Sequence, residues 1–229
     1  MFHQKQRGRL ANDKKLWYNE LYVQKSGGIS IQLVIASNNK GKIAEFKSLL
    51  APLAVQVLSL SEAGALLDAE ETGITFEENA AIKARAVFEA CGGPVIADDS
   101  GLVVDALGGA PGVYSARYGG EGLDDIGRYE LLLRELAAVP EKERTARFVS
   151  VICYIDAKGT EHLLRGECEG SIAFAPSGAG GFGYDPVFIT ENGRTMGEIS
   201  PDEKNAISHR GRALRKLLSL LREKGEAEC

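Results

Sequence analysis

Hydrophobic positions follow two rhythms along this chain, and the rhythms alternate. Ile31-Gln32-Leu33-Val34-Ile35-Ala36 is a short β-branched run that reads as a strand, and Lys42 to Leu50 is apolar at helical spacing. A second helix is expected over 76–90, with Phe76, Ala80, Ala84 and Val87 on one face. Residues 94–97 and 101–106 predict two brief strands. Residues 124–139 predict a helix with Leu131, Leu132 and Leu136 inward, stopped by Pro140. Two longer runs, 146–156 and 161–170, flank Ala157-Lys158-Gly159-Thr160 and predict an antiparallel hairpin. Val187-Phe188-Ile189 predicts one more strand. Ile207, Leu214, Leu217, Leu218 and Leu221 then predict a closing amphipathic helix over 203–224. Mixed βα units with a hairpin indicate an α/β fold with a mixed sheet.

Composition narrows the class of function. The chain has 229 residues, 44% hydrophobic and 26% charged, which is enough for one large domain or two small lobes. No run approaches the roughly 18–20 apolar residues that a membrane helix needs, so no membrane association is expected. The net charge of −5 argues against a broad nucleic-acid interface, which depends on many Lys and Arg contacts. Residues 1–28 stand apart. They hold six Lys or Arg against Asp13 and Glu20, an excess of four positive charges, so the remainder carries −9. Residues 1–30 therefore read as an atypical extension, followed by a single domain over 31–229. The four cysteines have no CxxC spacing and the three histidines no HExxH pair, so no zinc site is expected. Without an apolar secretory stretch at the start, a cytoplasmic location is expected.

Five segments carry candidate chemistry. Ser37-Asn38-Asn39-Lys40-Gly41-Lys42 lies at the first strand–helix junction, where backbone N–H groups and the helix dipole favour an anion. A Walker A loop would need Gly at 36 and Ser or Thr at 43, where the chain has Ala36 and Ile43. An Asn N-cap with two solvated lysines fits the same residues. Glu70, Glu71, Glu77 and Glu78 gather before and at the start of the second helix, where acids also serve as dipole complements. Asp98-Asp99-Ser100-Gly101 follows directly on the buried run Val95-Ile96-Ala97, at a strand's carboxyl end, where α/β ligand crevices lie. Hard oxygen ligands there suit Mg²⁺. Gly180-Gly181-Phe182-Gly183-Tyr184-Asp185-Pro186 lets backbone approach a flat ligand, with Phe182 or Tyr184 offering a stacking face. Lys204, His209 and Arg210 place three donors near the start of the last helix.

Together, SNNKGK (37–42), EETG and FEENAAIKA (70–84), ADDSGLVVDALGGAPGVYSARY (97–118), GGFGYDP (180–186) and DEKNAISHRG (202–211) resemble the inosine/xanthosine triphosphate pyrophosphatase family over about residues 31–222. The resemblance implies a two-lobed α/β structure around a mixed, elongated central sheet, with the active site in the cleft between lobes. It also implies a homodimer and Mg²⁺-dependent hydrolysis of ITP, dITP and XTP to the monophosphate and pyrophosphate. It assigns the triphosphate to Ser37, Asn39 and Lys42 within the loop that also holds Asn38, Lys40 and Gly41. Glu71 and Asp99 would hold Mg²⁺, with Asp99 also the general base and Glu70 the alternative to Glu71. Lys83 and Ser100 would contact phosphates or ribose. Phe182, Gly183, Tyr184, Asp185, Lys204, His209 and Arg210 would form the base pocket. Donors from His209 or Arg210 would pair with a 6-oxo group, and the backbone at 181–185 would keep out the 2-amino group of guanine. The family pattern has no counterpart to residues 1–30.

Overall fold

The computed structural model describes residues 31–51, 55–64, 67, 69–120 and 122–224, so the N-terminal extension lies outside the described residues. Six strands form one sheet in the order β2-β1-β3-β4-β5-β6. They are β1 (Ile31–Ile35), β2 (Val55–Ser59), β3 (Val95–Val104), β4 (Thr145–Ile155), β5 (Glu161–Ile172) and β6 (Phe188–Thr190). β1 pairs in parallel with β2 and β3, and the remaining neighbours are antiparallel. The helices are α1 (Lys40–Leu50), α2 (Phe76–Cys91), α3 (Asp125–Glu135), α4 (Pro201–Ile207) and α5 (His209–Glu223). None of the described helices is long and apolar enough to cross a membrane.

Several boundaries differ from the sequence expectation. The two brief strands expected around 94–106 are one ten-residue strand, because β4 pairs with β3 continuously from Val95 to Val104. Asp98 to Gly101, polar enough to read as a turn, is held extended by that ladder. β2 was not anticipated; its five residues are too few for a clear rhythm, and pairing with β1 supplies the rest. The third helix ends at Glu135 rather than Val139. The closing helix is two helices, since Ser208 leaves helical geometry (φ −65°, ψ 158°) and its side chain caps α5 by accepting from the Gly211 N–H. α2 begins as its sequence suggests, with a reciprocal capping box between Thr75 and Glu78.

The pleat explains where a cleft can open. Along one face of β3 the side chains run Ile96, Asp98, Ser100, Leu102, Val104, and along β4 they run Tyr154, Ile152, Ser150, Phe148, Ala146. Ile96, Ile152 and Tyr154 belong to an apolar cluster with Leu214 and Leu217 of α5 and Phe46 of α1. Leu102, Val104, Ala146 and Phe148 belong to a second cluster with Leu132 and Leu136 around α3. Two cores therefore share one sheet face, and Asp98, Ser100 and Ser150 form the polar band between them. The opposite face packs α2 through Ala80, Ala84 and Val87. Asp99 points to that face. β1 meets β3 only at Val34 and Ile35, so β3 runs past the end of β1 and both of its faces are accessible from one notch.

Candidate active site

The loop after β1 enters this notch as an ordinary helix start. Asn39 caps α1, its Oδ1 accepting from the Lys42 N–H at 3.0 Å, and Ser37 Oγ accepts from the Asn39 N–H at 3.2 Å. The capping reading and the ligand reading thus use the same residues. The cap aims Lys42 into the sheet, where its Nζ lies 2.8 Å from Asp98 Oδ2. Asp98 is fully buried. Ser150 Oγ donates to its Oδ1 at 2.6 Å, and Arg210 Nη2 and Ser100 Oγ donate to its Oδ2 at 3.3 and 3.1 Å. Burial alone would raise its pKa, but Arg210 and Lys42 outweigh that and hold the carboxyl well below its usual range. The sequence offers Asp98 and Asp99 together as candidate oxygen ligands, and the resemblance assigns a role to Asp99 alone; a sequence does not say which member faces which side.

Asp99 meets different partners. Lys83, on α2, donates to Asp99 Oδ1 and to Glu71 Oε1, both at 2.8 Å. Arg117 Nη1 donates to the other oxygen of Glu71 at 3.2 Å. Glu71 is thus part of the site, while Glu70 is exposed on the surface. Asp99 Oδ2 is buried and has no protein partner. Burial, with Glu71 beside it, pushes the Asp99 carboxyl above its usual range despite Lys83. Two carboxylates sharing one lysine, with an orphaned buried oxygen, fit a hard cation that takes its other ligands from water and phosphate. Among the described residues no three His, Cys, Asp or Glu side chains gather around one point, so the protein alone would not complete a coordination shell.

Two cavities meet here. The first, of about 210 Å³, is lined by Ser37, Asn38, Asn39, Lys42, Glu71, Lys83 and Asp98, together with apolar residues of the α2 side. The second, of about 230 Å³, is lined by Ser100, Phe148, Phe182, Gly183, Tyr184, Asp185, Lys204, His209 and Arg210. Ser115, Asp125 and Arg128 complete its far wall. Asn39, Lys42 and Ala116 border both. One polyanionic end and one flat end are what these two spaces accommodate. Lys40 is exposed and, like Gly41, lines neither, whereas Ser37, Asn38, Asn39 and Lys42 line one or both.

The second cavity is built from a buried charge network. Lys204 Nζ donates to Asp185 Oδ2 at 2.6 Å and lies 2.9 Å from Glu45 Oε1, and Glu45 also takes Arg210 Nη1. Arg210 Nη2 donates to Ser100 Oγ at 2.8 Å. Glu45, on the exposed-looking polar side of α1, is a member of the site that its sequence context does not reveal. Phe182 stands over this network, with Lys204 Nζ 4.5 Å from its ring centre. The ring rests on Gly41, where a Cβ would come within 2.7 Å of it. Gly181 is required too: its φ is +74°, and a Cβ there would meet Asp185 Oδ2 at 2.0 Å.

One expectation for this loop is corrected. Tyr184 is not a stacking face; it is buried in the second apolar cluster and its phenol donates to the Ser115 carbonyl at 2.9 Å. The loop N–H groups at 182 and 183 donate to Asp185 Oδ2 and Asp125 Oδ2, both at 2.8 Å. What remains unpaired is a set of buried nitrogens on cavity-lining side chains: His209 Nδ1, Arg210 Nε and Arg128 Nε. His209 stacks on Phe148 at 4.7 Å. Burial and the charge of Arg210 hold its pKa well below the usual value, so the imidazole is neutral.

Comparison with known proteins places this arrangement. The model of the Ham1 family matches residues 33–220. A dITP/XTP pyrophosphatase of Symbiobacterium thermophilum is 51% identical over 190 residues, covering 83% of this chain and 94% of the relative. One of Geobacillus kaustophilus is 52% identical over 187 residues, covering 81% and 92%. Among solved structures, a HAM1 protein from Coxiella burnetii shares 43% identity with a TM-score of 0.77, covering 84% of this chain and 99% of that one.

Proposed function

The chain belongs to the Ham1 family, and on that premise we propose that it hydrolyses non-standard purine nucleoside triphosphates, ITP, dITP and XTP, to the monophosphate and pyrophosphate. The observation that carries the reading is the pairing of cavities. One presents Lys42, Lys83, Glu71 and Asp98, and Asp99, with its orphaned oxygen, stands behind it on Lys83. The other is flat, walled by Phe182, and lined by buried nitrogens that lack acceptors. A purine with a 6-oxo group offers acceptors there, whereas adenine offers an amino donor. Each mispaired buried polar group costs about 1–3 kcal/mol, so two such features give roughly 10²- to 10⁴-fold selection.

Ser37, Asn38, Asn39 and Lys42 bind the phosphates, Lys42 and Lys83 balancing their charge. Gly41 seats Phe182, and Lys40 contributes positive charge from outside. Glu71 and Asp99 hold Mg²⁺, supported by the unpartnered Asp99 Oδ2. When bound, Mg²⁺ supplies positive charge against the phosphates and makes water more acidic. Asp99 orients the attacking water and accepts its proton as the phosphoanhydride breaks. Phe182 covers the base; Arg210 and His209 read it; Lys204 and Asp185 fix that wall, and Gly183 and Tyr184 tie the loop to the far side. The saturated state of Lys204 makes it a positioning group for Glu45 and Asp185 rather than a free donor. The protein works on free nucleotides in the cytoplasm as a homodimer, without nucleic-acid or membrane partners.

The test is pyrophosphate release from ITP, dITP, XTP, GTP and ATP, with Mg²⁺ and with a chelator. ITP, dITP and XTP are expected to be cleaved about 10²- to 10⁴-fold in preference to ATP, and about 10- to 10²-fold in preference to GTP, which differs only at the 2-amino group, and only with the metal. Equal turnover of all five, or release of single phosphate, would contradict the assignment.

A further inference from the structure

Arg128 enters the second cavity from α3, an element of the other apolar cluster than the one that holds α5. Its place is fixed. Nη1 donates to Asp125 Oδ1 at 3.0 Å, while Asp125 Oδ2 accepts the Gly183 N–H at 2.8 Å, so the guanidinium is tied to the loop that closes the cavity. Its Nε is buried and has no partner. Most other donors around the cavity are already committed. Lys204 is held by two carboxylates, both Nη groups of Arg210 are bonded, and the loop N–H groups at 182 and 183 are spent. A buried donor without a protein acceptor is costly, and a ligand that supplies the acceptor removes that cost.

We propose that Arg128 is a specificity-determining residue that contacts the N1–C2 edge of the base, pairing with the 2-oxo group of xanthine and excluding the 2-amino group of guanine. This rests on the reading of the cavity as the base site. A base read at its 6-oxo group from α5 turns its adjacent edge toward another wall, and α3 supplies the one charged donor there. Guanidinium has five N–H donors and no acceptor, so it cannot pair with an amino group. Hypoxanthine, with only hydrogen at position 2, neither gains nor clashes. Xanthine is also the more acidic ring, so it benefits most from a fixed cation beside it. A site built to bond a substrate group discriminates strongly against analogues that lack it.

The experiment measures kcat/KM for XTP, ITP and GTP by pyrophosphate release in the full-length protein and in Arg128→Leu and Arg128→Gln. In Arg128→Leu the XTP/ITP ratio is expected to fall about 10- to 100-fold, chiefly through KM for XTP, and the GTP/ITP ratio to rise. Arg128→Gln keeps an N–H donor and should lose less of the XTP/ITP ratio. If Arg128→Leu fails to fold, Arg128→Gln carries the test, its XTP/ITP ratio still falling below that of the unmodified protein. Equal losses on all three nucleotides, or an unchanged XTP/ITP ratio, would overturn the assignment of Arg128 alone. An unmodified protein that releases no pyrophosphate from either ITP or XTP would overturn the base-site reading, and this inference with it.

Discussion

Asp99→Asn is expected to lower pyrophosphate release from ITP by at least about 10²- to 10⁴-fold while leaving the fold in place. The amide matches the carboxylate in shape and can still accept from Lys83 through one oxygen, so the ladder between β3 and β4 is undisturbed. What is lost is the second oxygen as a proton acceptor and as a partner for a cation. Glu71 would then face Lys83 and Arg117 without its neighbour's charge. Steady-state kinetics beside a thermal melt separates the two effects. Turnover near that of the unmodified protein would remove Asp99 from the chemistry.

Asp98→Ala is expected to act differently, through stability. Asp98 is the buried point where Lys42, Arg210, Ser100 and Ser150 converge, so its removal leaves Lys42 without a carboxylate and Arg210 with Glu45 alone. Breaking a buried pair by deleting one partner costs about 3–5 kcal/mol, because the surviving charge has no solvent. Denaturant unfolding should show that loss as a lower midpoint with an unchanged slope. A loss below about 1 kcal/mol, the range of an exposed pair, would show that the band between the two apolar clusters is open to water. On the proposed reading the adjacent aspartates divide the work: Asp98 holds the cleft in shape, and Asp99, on the opposite face, takes the chemistry.

That division was beyond the reach of the sequence, although the pair itself was plain. Alternation along β3 puts Asp98 and Asp99 on opposite faces, but this holds only if 95–104 is one strand, and Asp-Asp-Ser-Gly reads locally as a turn. Pairing with β4, far along the chain, decided the matter. The helices around 40–50, 76–91 and 209–223 were legible because their apolar positions repeat and their caps are local. β2 was not, since a five-residue parallel edge strand carries little pattern of its own. Within the site, Asn39, Lys42, Glu71, Lys83 and Asp99, proposed for the phosphates and the metal, could be named from five ordered motifs. Glu45, Asp125 and Arg128 could not. They sit on helices whose polar residues resemble any solvated face, and only the tertiary structure shows that they meet Lys204, Gly183 and the cavity. Tyr184 erred in the other direction: an aromatic in a glycine-rich loop suggests a stacking platform, yet its ring is core and Phe182 alone stands free over the base cavity.

The central claim is one of orientation: the phosphates lie against Lys42, Lys83 and the carboxylate pair, and the purine lies under Phe182. A crystal structure of the Asp99→Asn protein with ITP and Mg²⁺ tests it directly. The account predicts the phosphate chain beside Lys42 and Lys83 with the metal at Glu71, and the hypoxanthine ring between Phe182 and the wall of His209 and Arg210. A nucleotide bound in the reverse sense, or away from both cavities, would contradict it.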